Sequence, residues 1–249
     1  MERNEKIIEA FTEMAPRYAK VVDTELSRFW GWSYEGFVSH LVETIPVGEK
    51  EIILDVATGT GSIPYRLEME GLSRRRIHEL DITYLMLKHA KHRLGVLNDQ
   101  EAPNLTCASA MAMPYKEASF TQVICGLATH HMQVKDLLSE SFRVLQDEGL
   151  LSIVDAGGSI FWRIPGVKLV IRIAAFIYFT TFENISRAWA ETSAVSNVLS
   201  KEGWQALLAD SGFIGITIEK LRSKYFFVPS PLLIKAVKRK RGSVNEQLL

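Results

Sequence analysis

EIILDVATGTGSIPYRL, residues 51–67, passes from a branched apolar run into an aspartate, then into a glycine-rich bend that leads straight into a helical pattern. The run EIILDVA is too short and too branched for a helix and reads as a strand. Gly59 and Gly61 permit a tight turn and let the backbone approach a ligand with no Cβ in the way, while the following helix presents free N–H groups. Pro64 falls in the first turn of that helix, where a missing N–H costs little. In an open parallel sheet, such a bend lies at the carboxyl end of a strand, where ligands bind. A Gly-x-Gly alone is also what a plain tight turn needs.

On both sides of the bend the chain alternates between the two periodicities. Residues 4–20 set Ile7, Ile8, Phe11 and Met14 at helical spacing, an amphipathic helix running into APRYAKVVD. After the bend, SIPYRLEMEG reads as helix, RIHELDI as strand, and TYLMLKHAKHRLG as a helix opened by Thr83. LTCASA, FTQVICGLA and GLLSIVDAGG read as three further strands, with the helix VKDLLSESFRVL between the last two. Strands alternating with helices of this length make parallel βαβ units with right-handed crossovers, hence an α/β, Rossmann-like, doubly wound sheet with helices on both faces. KEGWQALLADSGF is a further helix stopped by Gly212, followed by the strands IGITIEKLR and KYFFVPSPLLIKAVK. Two strands with no helix between them imply an antiparallel hairpin at the sheet edge, completing seven strands. The expected organisation is one domain over residues 1–249, with an N-terminal helical lid at about 1–45 and a helical, aromatic cap insert at about 157–200.

The chain carries 29 Lys plus Arg against 29 Asp plus Glu, so it lacks the basic excess that holds a duplex by its phosphates, and no nucleic-acid partner is expected. Cys107 and Cys125 lie in apolar stretches with no Cys-x-x-Cys and no metal-ligand spacing, which fits buried thiols in a reducing compartment and no metal site. The opening MERNEKIIEAF has acids among its first residues and no cleavage site after an apolar core, so a cytoplasmic location is expected. The most lipophilic segment, residues 159–182, is interrupted by Arg163, Lys168 and Arg172 and is not expected to cross a membrane. Peripheral contact with a membrane and a homodimer both stay open. The tail KRKRGSVNEQLL reads as a solvated end.

Asp81 narrows the ligand. It ends the second strand about 20 residues beyond the glycines, where a carboxylate accepts both hydroxyls of a ribose, so a nucleoside cofactor is implied. The dinucleotide fingerprint wants a third glycine three residues after the second, and Pro64 stands there instead. Asp55 places a second carboxylate at the mouth of the first strand. A pyrophosphate would be repelled by such neighbours, whereas a cofactor with an ammonium and a sulfonium would be attracted.

LDVATGTG, ELDITYLMLKHAKHR, MAMPYKEASFTQVICGLATHH and RVLQDEGLLSIVD, in that order, resemble the successive motifs of class I S-adenosylmethionine-dependent methyltransferases. The likeness spans about residues 8–156 and recurs in LSKEGWQALLADSGF, and the entry AFTEMAPRYAKVVD is similar to the ubiquinone/menaquinone-biosynthesis branch. The resemblance implies S-adenosyl-L-methionine as cofactor and S-adenosyl-L-homocysteine as product. It assigns Asp55, Ala57, Gly59 and Gly61 to the methionine end, with Thr58 among the cofactor residues, Asp81 to the ribose, and Ile82 with Met86 to the adenine. Tyr18 would close over the cofactor from the N-terminal lid, and Ser109, Ala110, Met111, Gly126 and Leu127 would complete the pocket. The family commonly has an aspartate, as in Gly-Asp-Ala, to accept the adenine amine; the aligned triplet is Ala108-Ser109-Ala110, whose neutral hydroxyl bonds more weakly. The customary Phe-Asp before the fourth strand is changed to Phe120-Thr121.

Methyl transfer from a sulfonium is an in-line displacement, so most of the acceleration can come from alignment, with a base as the remaining need. ATHHM puts His130 and His131 at the rim of the crevice, where either could take a proton from a phenol or an activated ring carbon. Members of the family also carry His-His here for structure or pocket shape. CGLATHH lacks the Asn/Asp-Pro-Pro-Tyr/Phe motif of amino-methylating nucleic-acid enzymes, which favours a small acceptor. Phe161, Trp162, Phe176 and Phe179 in the cap insert suit a lid over a lipophilic or aromatic, quinol- or phenol-like acceptor, though an ordinary helical cap or oligomer contact fits them equally. Two other readings stay open. One is a methyltransferase fold used for a non-methylating reaction, which Ser109 keeps alive; the other is a non-enzymatic partner subunit, against which Asp55, Gly59, Gly61 and Asp81 argue.

Overall fold

In the computed structural model, which describes residues 2–97, 101–158, 166–225 and 228–240, the branched run forms β1 (Ile53–Val56), buried along its whole length as a strand covered on both faces must be. The other strands are β2 (Ile77–Asp81), β3 (Asn104–Cys107), β4 (Phe120–Gly126), β5 (Leu145–Asp155), β6 (Phe213–Lys220) and β7 (Leu232–Lys238). They form one seven-stranded sheet in the order β3-β2-β1-β4-β5-β7-β6. The first five are parallel, and β7 runs antiparallel between β5 and β6. The hairpin is therefore inserted so that the last strand is interior and β6 takes the edge. β7 starts later than the sequence suggests, because Pro229 and Pro231 have no N–H to give a ladder; Phe226 and Phe227 lie outside the described residues. Strand order reverses between β1 and β4, which puts the ligand crevice beside the glycine bend.

Three helices precede the sheet: α1 (Glu2–Met14), α2 (Tyr18–Phe29) and α3 (Tyr34–Glu43). The single helix expected over residues 4–20 is broken by a tight turn at Ala15–Arg17, where Pro16 supplies no N–H. Between and after the strands come α4 (Ser62–Met69), α5 (Tyr84–Leu97), α6 (Val134–Val144), α7 (Val167–Phe182), α8 (Ile185–Ala194) and α9 (Lys201–Asp210). Ser33, Asn184 and Ser200 each accept a backbone N–H from the first turn of α3, α8 and α9, the expected chemistry of a helix start. One core packs Phe120, Leu138, Trp204 and Phe213 on one side of the sheet, and a second packs Phe37, Leu41, Leu67 and Ile77 on the other.

Two expectations need correction. Cys125 is buried but Cys107, the last residue of β3 at a sheet edge, is exposed. The apolar stretch at 159–182 is not a covered lid throughout: no residue of α7 is buried, and Leu169, Val170, Ile173 and Ile177 are exposed on it. Phe161 and Trp162 lie outside the described residues. Among the described residues, no helix is long and apolar enough to cross a membrane.

Candidate functional site

Directly after β1 the chain turns through Ala57 (φ +57°), Gly59 (φ +56°) and Gly61 (φ +75°), all in left-handed backbone. A left-handed alanine is strained by roughly 1–2 kcal/mol, and such strain gathers at ligand sites. Asp81, at the end of β2, ties the turn down: Gly59 N donates to its Oδ2 at 2.9 Å and Thr83 N to its Oδ1 at 2.7 Å. A Cβ on Gly61 would stand 3.0 Å from Ala90 Cβ and 3.2 Å from its Cα, so the glycine is what lets α4 pack on α5. A Cβ on Gly59 would instead face the Tyr18 ring at 3.7 Å.

Above this turn lies a cavity of about 710 Å³ that opens to solvent. Of the expected cofactor residues, Tyr18, Ala57, Gly59, Asp81, Ile82 and Met86 line it, as do Ser109, Ala110, Met111 and Leu127. Asp55, Thr58, Gly61 and Gly126 do not reach its wall. Asp55 lies fully buried beneath the turn, opposite Glu79 in the β1–β2 register, and no oxygen of either carboxylate has a hydrogen-bond partner. Burial pushes Asp55 up to about 7, against the nearby Thr58 hydroxyl and with help from the Asp81 charge. Burial, with the Asp55 charge added, pushes Glu79 up to about 8. Asp81 is raised too, its own burial outweighing the two backbone N–H bonds it accepts.

A second cavity, about 900 Å³, adjoins the first and shares Phe11, Tyr18, Leu127 and His131 with it. Its remaining wall brings together α2, α7 and α8, with Phe29, Trp30 and Phe179 as the aromatic part. Phe179 is thus on the cavity, whereas Phe176 packs edge-on against Trp189 at 5.4 Å and lines neither cavity. The polar part of the wall is Glu25, His130, Arg187 and Glu191. Arg187 is buried, with its guanidinium 5.3 Å from the centre of the Phe11 ring and 5.6 Å from that of Phe179. Its Nη2 lies 2.9 Å from Glu191 Oε1 and 3.4 Å from Glu25 Oε2, while among the described residues Nε and Nη1 have no acceptor.

The two histidines differ in kind. His130 Nδ1 meets Asp155 Oδ1 at 2.5 Å, and Asp155 also accepts the His130 and Ala156 backbone N–H groups and the Thr129 hydroxyl. Burial alone would lower the His130 pKa, but the charge and hydrogen bond of Asp155 override it and raise it. His131 is lowered, by burial first and the charge of His130 second, so it is a neutral imidazole at neutral pH, with Nδ1 unpartnered and Nε2 3.4 Å from Glu191. His130, His131 and Glu191 bring ligand atoms within 4.8 Å of one another. Asp155 on His130 and Arg187 on Glu191 already compensate that set, and the guanidinium opposes a further cation.

Sequence reasoning missed Glu25, Asp155, Arg187 and Glu191. Asp155 had a signal: like Asp81 it is the last residue of a buried strand. Arg187 and Glu191 had another, an i, i+4 ion pair in a helix otherwise made of small and apolar residues. Phe11 was legible only as part of an amphipathic stripe.

A family model described as a methyltransferase domain matches residues 54–153, from β1 into β5. The chain is similar to a ubiquinone/menaquinone biosynthesis C-methyltransferase of Geotalea daltonii, 27% identical over 223 residues that cover 85% of this chain and 89% of that protein. A shorter match, 34% identical over 101 residues, covers 39% of the chain and 41% of the corresponding enzyme of Rickettsia akari. Among solved structures, geranyl diphosphate C-methyltransferase from Streptomyces coelicolor, in complex with Mg²⁺, geranyl diphosphate and S-adenosyl-L-homocysteine, superposes with a TM-score of 0.64. It is 16% identical, covering 89% of this chain and 84% of that one, a likeness of fold.

Proposed function

We propose that this chain is a class I S-adenosylmethionine-dependent methyltransferase that transfers a methyl group from that cofactor to a small lipophilic or aromatic acceptor of quinol or phenol type. The observation that carries the reading is the pair of joined cavities, one beside Asp81 and the glycine turn, the other walled by aromatics, meeting at Tyr18, Leu127 and His131. The acceptor chemistry of the similar C-methyltransferases, quinone biosynthesis in one and geranyl diphosphate in another, supports a lipophilic acceptor.

The residues present suit the cofactor. Asp55 and Glu79 are buried carboxylates with unspent oxygens, Gly59 leaves the cavity wall without a side chain, and Asp81 stands at the strand end on the wall itself. Asp81 would take the ribose hydroxyls, Ile82 and Met86 would flank the adenine, and Ser109 would offer its hydroxyl to the adenine edge. Asp55, beneath the turn, would favour the ammonium by its field. When bound, the cofactor supplies an electrophilic methyl on a sulfonium. Tyr18, lining both cavities, separates the two ligands' surroundings from water and helps fix their mutual alignment. His131 presents an unpartnered ring nitrogen at the junction, a hydrogen-bond partner for a polar group of either ligand.

Calorimetry with S-adenosyl-L-homocysteine, followed by mass spectrometry of a panel of phenols and quinols incubated with S-adenosylmethionine, tests the reading. Binding of the first and a gain of one CH₂ by a panel member are expected. Failure of the purified chain to bind the nucleoside overturns it.

A further inference from the structure

Resting on the methyltransferase reading, we propose that Glu25 and Arg187 are catalytic residues of the acceptor cavity: Glu25 takes the proton of an acceptor hydroxyl, and Arg187 holds the oxyanion that results. The acceptor class is then a phenol or enol presenting its hydroxyl to this pair.

A guanidinium carries five N–H donors in a fixed plane and is never neutral in a protein. Arg187 donates from Nη2 to Glu25, with Glu191 as an ion pair beside it, and among the described residues Nε and Nη1 have no acceptor although the residue is buried and lines the cavity. Phe11 and Phe179 stand against it at 5.3 and 5.6 Å, so what remains to offer is its N–H edge. Unmade bonds on a buried charged group are expensive, and a ligand oxygen carrying negative charge is the acceptor that best removes the expense.

Glu25 is held weakly on Arg187. It accepts from Nη2 at 3.4 Å, long for a charge-assisted bond, while Glu191 Oε1, 2.9 Å from the same nitrogen, forms an ion pair without hydrogen-bond geometry. Burial pushes Glu25 up to about 7 against the pull of Arg187. The charged and titratable groups facing it are Arg187, Glu191, Glu183, His130, Tyr18 and Tyr178. Its side chain is 21% exposed, which gives a proton a way out to solvent.

Charge conservation in the cavity favours Glu25 over either histidine. When ionised Glu25 takes the proton, the acceptor O–H bond breaks, its electron pair stays on the acceptor oxygen, and a new O–H bond forms on the Glu25 carboxyl. One negative charge moves from Glu25 to the acceptor, beside the same guanidinium, and no net charge is created. The proton then leaves Glu25 for solvent. Protonating His131 would instead add a buried cation next to His130 and Arg187, whose charges already lower its pKa. His130 is engaged through Nδ1 with Asp155, whose charge raises its pKa, and a proton added to it would place a further buried cation beside Arg187, whose charge works against that rise.

The test uses 4-nitrophenol, whose ionisation is read by absorbance, bound to the full chain saturated with S-adenosyl-L-homocysteine. The wild-type complex should lower the phenol's apparent pKa by about one unit or more, the effect of an opposite charge at close range. Arg187→Gln should bring it back to the solution value, and Arg187→Lys, which keeps the buried charge and so guards against misfolding, should retain part of the shift. In Glu25→Gln the shift should persist, while methyl transfer to an accepted phenol loses its acidic limb near pH 7 and falls about 100-fold in kcat/KM, the scale of a general base. An unshifted or unbound nitrophenol in the wild-type complex overturns the proposal, as does a Glu25→Gln enzyme with an unaltered pH profile. Loss of nucleoside binding by the wild-type chain would instead overturn the methyltransferase reading, a separate result of the same titration.

Discussion

The two cavities that meet at Tyr18 are electrostatic opposites. Around the cofactor end lie three buried or nearly buried carboxylates, Asp55, Glu79 and Asp81, two of them with no hydrogen-bond partner and all with pKa values raised. Around the acceptor end the charges are paired, His130 with Asp155 and Arg187 with Glu191, and what is left over is donor capacity on Arg187. The first end is short of a cation and the second of an oxyanion. They also differ in construction. The cofactor end is built around the junctions after β1 and β2 and completed by α1, Tyr18 and the segments after β3 and β4, whereas the acceptor wall gathers side chains from Phe11 to Glu191 and beyond. On the proposed reading the acceptor can therefore be changed through α2, α7 and α8 without disturbing the sheet beneath the first cavity, the usual division between a scaffold and what it carries.

If the acidic end is real, it has to show in stability against pH. Glu79 has a folded pKa of about 8 against an ordinary 4.5, so between those values the folded chain binds more protons than the unfolded one. Stability from this group is then full below about pH 4.5, falls as pH rises, and reaches its lowest level above about pH 8. Glu79→Gln removes the ionisation and should raise stability at pH 8.5 by on the order of 4 kcal/mol while changing little at pH 4.5, the energy of such a shift. Asp55 and Glu79 face each other across β1 and β2, so they titrate as a pair and Asp55→Asn should give a smaller change in the same direction. Urea unfolding at the two pH values reads the difference. Equal slopes for the variant and the parent would mean that the acidic end carries no strain.

Asp81 is the member of that trio on the cavity wall, and its loss should be felt in binding. Asp81→Ala is expected to weaken S-adenosyl-L-homocysteine by roughly 1.5 to 3 kcal/mol, the range for hydrogen bonds to a charged group. Gly59 N and Thr83 N lose their acceptor at the same time, so circular dichroism and unfolding of the variant belong beside the calorimetry. Unchanged affinity in a folded variant would remove Asp81 from the cofactor.

The same contrast explains what could be read from the sequence. Buried parallel strands are short branched runs bounded by glycine and aspartate, so β1, β2, β4 and β5 were legible, and with them the switch point and the wall residues Gly59, Asp81 and Met86. Element boundaries were less so: Pro16 splits the entry helix, and Pro229 with Pro231 delays β7, although both signals are local. The acceptor wall was not legible, because Glu25 and Arg187 stand 162 residues apart and no periodicity links them. Aromatic density in the cap could not say which side chains line a cavity; Phe179 does, and Phe176 packs on Trp189.

That last distinction is a smaller test of the acceptor end. Phe179→Ala should remove roughly 60 Å² of apolar contact from a bound acceptor, about 1.5 kcal/mol at about 25 cal/mol per Å². Phe176→Ala should leave acceptor affinity as it was, and neither should move the affinity for S-adenosyl-L-homocysteine. Equal losses from the two substitutions would show that α7 acts as a unit and that the cavity assignment of Phe179 carries no weight.

The smallest effect is expected where the two ends trade character, at Ser109. Its Oγ accepts the Met111 N–H at 3.2 Å, a local turn that an aspartate can keep with one carboxylate oxygen while the other faces the cavity. If that oxygen meets the adenine amine, a neutral acceptor becomes an ionised one, and Ser109→Asp should tighten S-adenosyl-L-homocysteine by about 1 kcal/mol. The gain is limited because the substitution adds a charge to a region that already holds Asp81, Asp55 and Glu79, whose repulsion opposes ionisation of a new acid. The balance is therefore pH-dependent: tightening should grow from pH 6 to pH 8 as the new carboxyl ionises, and a titration at both values reads the slope. A folded variant that binds more weakly at both would place the adenine elsewhere along Ser109–Met111 and break the register on which the cofactor end was assigned.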